Sequence, residues 1–198
     1  MSRRLVVLIA ALALALAAVS GALWLLALGP QATSQGKALV GGPFRLTSAS
    51  GEVVDSETLK GKPYVIFFGF THCPEVCPTA LYEMSALLEK LGEDAKSFRV
   101  FFITVDPERD TAEMMKDYMA NFDPRIEGLV PSLAQLPKLA ADFRVHYAKV
   151  PTSDGGYTMD HTASVFLMDA DGRFAGTLAY GEEAGTREAK LRKLLAGR

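Results

Sequence analysis

The chain opens on a long uncharged, mainly apolar stretch over residues 5–28, passes through a short polar segment, and then alternates apolar runs with helical repeats to its end. Residues 44–47 and 53–54, on either side of Ser48-Ala49-Ser50-Gly51, read as a short hairpin. Residues 63–70 are apolar without alternation, as in a strand covered on both faces. Leu81, Met84, Leu87, Leu88 and Leu91 recur at helical spacing and predict a helix over 78–91. A second buried strand is expected over 98–105. Asp110-Thr111-Ala112-Glu113 resembles a capping box opening a helix that reaches about residue 122. Another helix falls within 132–143, with Pro137 in its first turn or at a break. Residues 147–150 predict a strand, and Ser153-Asp154-Gly155-Gly156 a turn. Residues 164–168 and 174–178 pair through Asp169-Ala170-Asp171-Gly172, and an amphipathic helix over 186–195 closes the chain.

A strand-helix-strand beginning that ends in two strands and a helix is the thioredoxin arrangement. The predicted class is therefore α/β, a thioredoxin-like fold with an N-terminal β-hairpin extension and an additional central helix. Residues 5–28 carry no charge and are broken only by Ser20 and Gly21. A run of ~20 apolar residues spans a bilayer, whereas the apolar core of a cleaved signal peptide holds only ~7–15. The best cleavage point, Ala27-Leu28-Gly29, is followed by Pro30, and no nearby cysteine can carry a lipid. Trp24 sits near the far end as an interfacial anchor does, and Arg3 and Arg4 mark the cytoplasmic side. The expectation is one uncleaved transmembrane helix within 1–29, a tether over 30–38, and a folded domain over 39–198 outside the cytoplasm. That places a single-pass protein in a bacterial inner membrane with its domain in the periplasm. A cleaved signal is the alternative, and both put the domain in an oxidising compartment.

The apolar segment inflates the hydrophobic content of 49%, and the formal net charge is -2. Setting aside Arg3 and Arg4 leaves 19 basic residues (21 − 2) against 23 acidic ones. No basic balance points to nucleic acid.

Chemistry concentrates in Thr71-His72-Cys73-Pro74-Glu75-Val76-Cys77-Pro78, which holds the only two cysteines of the chain. A predicted strand delivers both thiols to the start of a predicted helix, where backbone N–H groups and the helix dipole favour thiolate. Thiolate is both nucleophile and metal ligand, so the pair does redox chemistry, binds a soft metal, or both. Two intervening residues mark the usual redox motif, and here there are three. If the helix has begun by Cys73, the sulfurs share one face a turn apart, which suits two ligands on one ion. A disulfide is also compatible, since Cα atoms one turn apart fall within the bridging range of ~4.4–6.8 Å. As a purely structural link it would close so short a loop that it stabilises little.

Of the three histidines, His161 lies just before a buried strand whose entering loop packs on the cysteine motif in a thioredoxin-like fold. Two thiolates and an imidazole make a soft set that favours copper, while structural zinc normally takes four protein ligands. His72 adjoins Cys73, but neighbouring side chains usually point apart. His146 reads as an ordinary core or surface histidine, and Asp106 and Asp110 as turn-forming and capping residues, with contact to a partner or shaping of the site as the alternative. Met84, Met114, Met115 and Met119 read as core, leaving Met159 as the only methionine placed for weak axial ligation.

Gly69-Phe70-Thr71-His72-Cys73-Pro74-Glu75-Val76-Cys77-Pro78, Val105-Asp106-Pro107-Glu108-Arg109-Asp110-Thr111 and Met159-Asp160-His161-Thr162-Ala163, in that order, resemble the Sco/SenC family. The resemblance runs from about residue 39 to the C-terminus and includes the anchor. It implies a copper protein, holding Cu(I) or Cu(II), that takes part in assembling cytochrome c oxidase. Its implied copper ligands are Cys73, Cys77 and His161, and Glu75 stands where the family often has aspartate. The implied partner is a copper-containing subunit of the oxidase, with a periplasmic copper donor or a thiol reductant beside it. A copper metallochaperone is the leading reading and is not an enzyme. A thiol–disulfide reductase with Cys73 and Cys77 as its redox pair, keeping the recipient's cysteines reduced, is the alternative, and a redox-signalling role is also compatible with the resemblance. A thiol peroxidase ranks last, because residues 65–70 contain no proline and Thr71 stands two rather than three positions before Cys73. His161 separates the leading pair: metal binding needs it and dithiol exchange does not.

Overall fold

Among the described residues, nine strands and four α-helices follow one another over the C-terminal four-fifths of the chain. The computed structural model describes residues 3–4, 9, 14–21 and 40–197. The chain divides into two units, Met1–Lys37 and Ala38–Arg198. The predicted tether lies outside the described residues, as does most of the predicted anchor. Among the described residues no helix is long and apolar enough to cross a membrane.

Within the second unit, β1 (Arg45–Ser48) and β2 (Val53–Asp55) form the predicted hairpin. β3 (Tyr64–Gly69) leads to α1 (Val76–Leu91), and β4 (Arg99–Thr104) to α2 (Ala112–Met119). β5 (Ile126–Val130) precedes α3 (Leu136–Phe143), with Pro137 in its first turn. β6 (Tyr147–Pro151) and β7 (Tyr157–His161) make a ribbon, β8 (Val165–Met168) and β9 (Phe174–Leu178) a hairpin, and α4 (Ala184–Ala196) ends the unit. The main sheet runs β2-β1-β5-β4-β3-β8-β9, and the ribbon is a separate two-stranded sheet. β3, β4 and β5 are parallel, and the remaining neighbours in both sheets pair antiparallel. This is the expected thioredoxin-like α/β arrangement, with the hairpin added at one edge through β1 and β5.

β3 is buried along its whole length, and β4 nearly so, because both lie in the middle of the sheet with both faces covered. Phe44, Tyr64 and Phe101 meet edge to face with centroids 6.1–6.3 Å apart, which joins the hairpin to the central strands. β5 was not anticipated by the hydrophobic pattern, since Glu127 and Gly128 interrupt a run of only five residues. Both have structural partners. Arg99 on β4 donates Nε–H to Glu127 Oε1 at 2.9 Å. A Cβ on Gly128 would stand 2.5 Å from Met115 Cγ, so glycine is what lets α2 lie against the strand.

Candidate metal centre

The turn between β3 and α1 carries both thiols. Gly69 ends β3, and a Cβ there would meet Cys77 Sγ at 2.7 Å and Phe102 Cε2 at 2.6 Å. The missing side chain is therefore the space the buried sulfur occupies. The helix begins at Val76 rather than at Pro78, with Glu75 as N-cap residue. Pro78 sits inside the first turn, where its absent N–H would have had no intrahelical partner. Cys73 thus precedes the helix, and the premise that both cysteines lie on helical turns is corrected. The turn nevertheless folds Cys73 back over the helix start, so that Cys77 N–H donates to Cys73 Sγ at 3.5 Å. Glu75 supplies no side-chain cap, and the sulfur takes up one of the free N–H groups at this positive end.

His161 reaches the pair from the other sheet. It closes β7, opposite Tyr147 on β6, rather than lying in a loop as the sequence reading has it. Its Nε2 stands 3.5 Å from Cys77 Sγ. Its Nδ1 faces the Thr162 carbonyl at 3.1 Å, which assigns a proton to Nδ1 and turns Nε2 toward the sulfurs as the atom that can bind a metal. The rings of Phe67 and Phe70 flank the imidazole at 6.3 and 5.7 Å between centroids. Cys73 Sγ, Cys77 Sγ and a ring nitrogen of His161 all lie within 4.8 Å of one another.

The two thiols differ in kind. Cys77 is fully buried and Cys73 half-buried. The Cys73 thiol is pulled down to about 4, chiefly by the hydrogen bond from the Cys77 thiol, against its own burial, and further by His161 and the N–H groups of Cys77 and Glu75. Cys77 is pushed up by the same hydrogen bond, by burial and by the neighbouring negative sulfur. The apo pair therefore shares one proton, held by Cys77, and presents Cys73 as thiolate. Two sulfurs and one imidazole nitrogen, converging in a half-buried recess, can hold one soft metal ion.

The turn from β4 to α2 supports both halves. Asp110 is fully buried. It accepts from Thr71 N–H at 3.0 Å, from the Thr71 hydroxyl at 2.6 Å, and from the Thr104 hydroxyl. Its predicted role as cap is corrected: Thr111 is the N-cap of α2 and accepts from Met114 N–H at 3.2 Å. Asp106, also buried, accepts from Arg109 Nε–H and from the Tyr157 hydroxyl at 3.0 Å.

The other two histidines make their contacts elsewhere. His72 turns toward Thr71 and Asp110, with Nδ1 3.0 Å from the Thr71 hydroxyl and 3.5 Å from Asp110 Oδ1. His146 is exposed and faces Asp160 at 3.6 Å. Met159 is buried in the core, as are Met84, Met115 and Met119, whereas Met114 is exposed, contrary to expectation. Glu75 accepts from the Tyr180 hydroxyl at 3.4 Å. Asp110 and Asp106 thus shape the site, the alternative that the sequence leaves open for them, whereas the supporting role of Arg109, in the same motif, has no signal of its own in the sequence.

The family model SCO1/SenC matches residues 32–196. The "Protein SCO1 homolog 1, mitochondrial" of Arabidopsis thaliana is 39% identical over 142 residues, which are 71% of this chain and 42% of that protein. An SCO2-like protein of Rickettsia prowazekii is 39% identical over 140 residues, 70% of this chain and 68% of its own length. Among solved structures, Bradyrhizobium japonicum ScoI with copper bound superposes with a TM-score of 0.73 at 49% identity, covering 78% of this chain and 99% of that one. The chain thus spans well under half of the plant relative but nearly all of the ScoI structure. With a family match over most of its length and a fold shared with a copper-bound ScoI, this chain belongs to the SCO1/SenC family.

Proposed function

We propose that this chain is a copper metallochaperone, with copper as its cargo and Cys73, Cys77 and His161 as the ligands. The observation that carries the reading is the convergence of two sulfurs and one imidazole nitrogen within 4.8 Å. The donor set fits copper better than zinc, having thiolates for Cu(I), an imidazole that also suits Cu(II), and three ligands rather than four. A structural relative at 49% identity carries bound copper. The recipient in this reading is a copper-containing subunit of cytochrome c oxidase. The apolar segment within residues 1–29 anchors the chain in a bacterial inner membrane, and residues 30–38 tether a periplasmic domain.

A specific observation also favours thiol–disulfide exchange: a half-exposed thiolate at Cys73 beside a buried, protonated Cys77. The Cys73 thiolate would attack a recipient disulfide and expel one recipient thiolate. Cys77 would then attack the mixed disulfide at the Cys73 sulfur, release the second recipient thiol, and leave a Cys73–Cys77 disulfide. Two electrons pass to the recipient.

Complementation separates the two. In a strain lacking this gene, oxidase activity is expected to fall when copper is scarce. Cys73→Ser is expected to restore neither function, and His161→Ala to fail as well if copper transfer is the task. Restoration by His161→Ala to wild-type oxidase activity would refute the chaperone reading in favour of the reductase.

A further inference from the structure

Among the described residues, no ladder of hydrogen bonds joins the ribbon that carries His161 to the sheet bearing the thiols. The distance of His161 from Cys77 is therefore set by how the ribbon is docked, and side chains do that docking. The Arg109 guanidinium lies 3.8 Å from the centroid of Tyr157 on β7. It donates Nη1–H to the Tyr157 carbonyl at 2.8 Å and Nε–H to Asp106. The Tyr157 hydroxyl donates to the other oxygen of Asp106 at 3.0 Å. Lys149 on β6 pairs with Glu108 and places its Nζ 4.5 Å from the centroid of the same Tyr157 ring. Arg109 also stands 5.9 Å from the Phe70 ring, which meets His161 edge-on. One residue further along the same turn, Asp110 holds Thr71 and with it the cysteine turn.

Given the reading that these three residues hold copper, we propose that Arg109 is a positioning residue for the metal centre. It clasps the β6–β7 ribbon to the turn that also braces the cysteines, and so holds His161 Nε2 in register with the two sulfurs. Residues 106–111 are in this sense a single bracket with one arm on each half of the site. The chemistry calls for arginine. Its planar fork serves a carboxylate and a carbonyl at once while its face covers a ring, which a lysine ammonium cannot do. The exposed Lys149–Glu108 pair contributes little to the clasp.

The test uses the full chain in four forms: wild type, Arg109→Met, His161→Ala and the double variant. Cu(I) affinity is read by chelator competition, and nitrogen ligation by the nitrogen coupling in electron paramagnetic resonance of the Cu(II) form. Arg109→Met is expected to lose ~10-fold or more in affinity, as loss of a group orienting a ligand does, and to weaken the nitrogen coupling while both thiols stay titratable. The double variant is expected to match His161→Ala, because both changes act on one interaction. Arg109→Lys is expected to recover only part of the loss. Wild-type affinity and full nitrogen coupling in Arg109→Met, with His161→Ala impaired, would overturn the clasp and leave the metal site standing. Wild-type affinity in His161→Ala would overturn both. Should Arg109→Met fail to fold, Tyr157→Ala removes the ring and hydroxyl from the ribbon side; it is expected to reproduce the loss, and wild-type copper binding in it refutes the proposal.

Discussion

Asp110→Ala removes a side chain that makes no contact with metal ligands of its own, yet holds the turn that presents them. Three donors converge on the carboxylate: the Thr71 N–H at 3.0 Å, the Thr71 hydroxyl at 2.6 Å and the Thr104 hydroxyl. A hydrogen bond to a charged acceptor contributes about 1.5–3 kcal/mol, and a buried donor left unpaired adds a penalty of its own. Thr71 is only partly buried and can recover some hydration, but Thr104 is fully buried. Taking the lower figure for each bond and discounting Thr71 leaves ~3 kcal/mol. In a domain of this size 1 kcal/mol moves the melting midpoint by ~2–4 °C, so Asp110→Ala is expected to lower it by roughly 6–12 °C. Asp110→Asn keeps one oxygen where the Thr71 N–H and the Thr104 hydroxyl donate, and its amide can donate to the Thr71 hydroxyl once that rotor turns. It is expected to cost about a third as much. The assay is thermal unfolding of both variants followed by circular dichroism, with Cu(I) affinity measured below the midpoint. A shift under ~2 °C for Asp110→Ala, or equal shifts for alanine and asparagine, would show that the buried carboxylate does not hold the cysteine turn.

Cys73 is expected to react with iodoacetamide at a rate that no longer rises above about pH 5–6, since its thiol is pulled down to about 4; a midpoint near the ordinary thiol value of ~8.5 contradicts the assigned hydrogen bonds. The same pair sets a sign for apo stability. From about pH 4 upward the native pair has released a proton that the unfolded chain keeps, so stability rises with pH until the unfolded thiols titrate near ~8.5, and then falls because native Cys77 retains its proton; denaturant midpoints across that range check it. Gly69→Ala forces a methyl within 2.7 Å of Cys77 Sγ and is expected to cost ~1–3 kcal/mol together with a measurable loss of copper affinity; unchanged denaturation and binding would mean the sulfur has room to move. Oxidised apo protein is expected to lose two hydrogens by mass spectrometry with no alkylatable thiol remaining, through a Cys73–Cys77 disulfide; mainly intermolecular dimer would contradict the paired geometry.

The elements most legible in the hydrophobic pattern, such as β3 and α1, are those whose burial is continuous or cleanly periodic. The two strands it missed fail for stated reasons. β5 carries Glu127 and Gly128, whose logic lies in Arg99 and Met115, and neither partner can be paired with them from spacing alone. β7 reads as polar and mixed, because a two-stranded ribbon buries few of its residues. The helix starts at Val76, two residues before the Pro78 start that the sequence pattern suggests, because proline is tolerated throughout the first turn. For the site, Cys73, Cys77 and His161 were nameable because their chemistry is distinctive. Asp110 was open to two readings, capping or shaping the site, because Asp110 and Thr111 are adjacent candidate caps. Choosing between them requires knowing that Thr71, 39 positions away, and Thr104 are brought to the same carboxylate. Arg109 is invisible for a similar reason: its partner Tyr157 lies 48 positions on.

The unequal burial of the two sulfurs bears on how either proposed task would proceed. Cys73 is the half-buried thiolate at the mouth of the site, and Cys77 the fully buried thiol behind it. An incoming thiol or disulfide therefore meets Cys73 first. In dithiol exchange that makes Cys73 the attacking sulfur and Cys77 the resolving one. In metal transfer it makes Cys73 the ligand most readily exchanged for a recipient's. The sulfurs alone thus do not distinguish the tasks. His161 does, because its Nε2 sits 3.5 Å from the inner sulfur, Cys77, and its Nδ1 is committed to a backbone carbonyl. A nitrogen so placed adds a ligand from behind while leaving the outer sulfur accessible. Disulfide exchange would use this imidazole only as a base for the resolving thiol, whereas a metal ion that is held and then surrendered would gain from it a pair of inner ligands, Cys77 and His161, and one outer ligand, Cys73, that can leave.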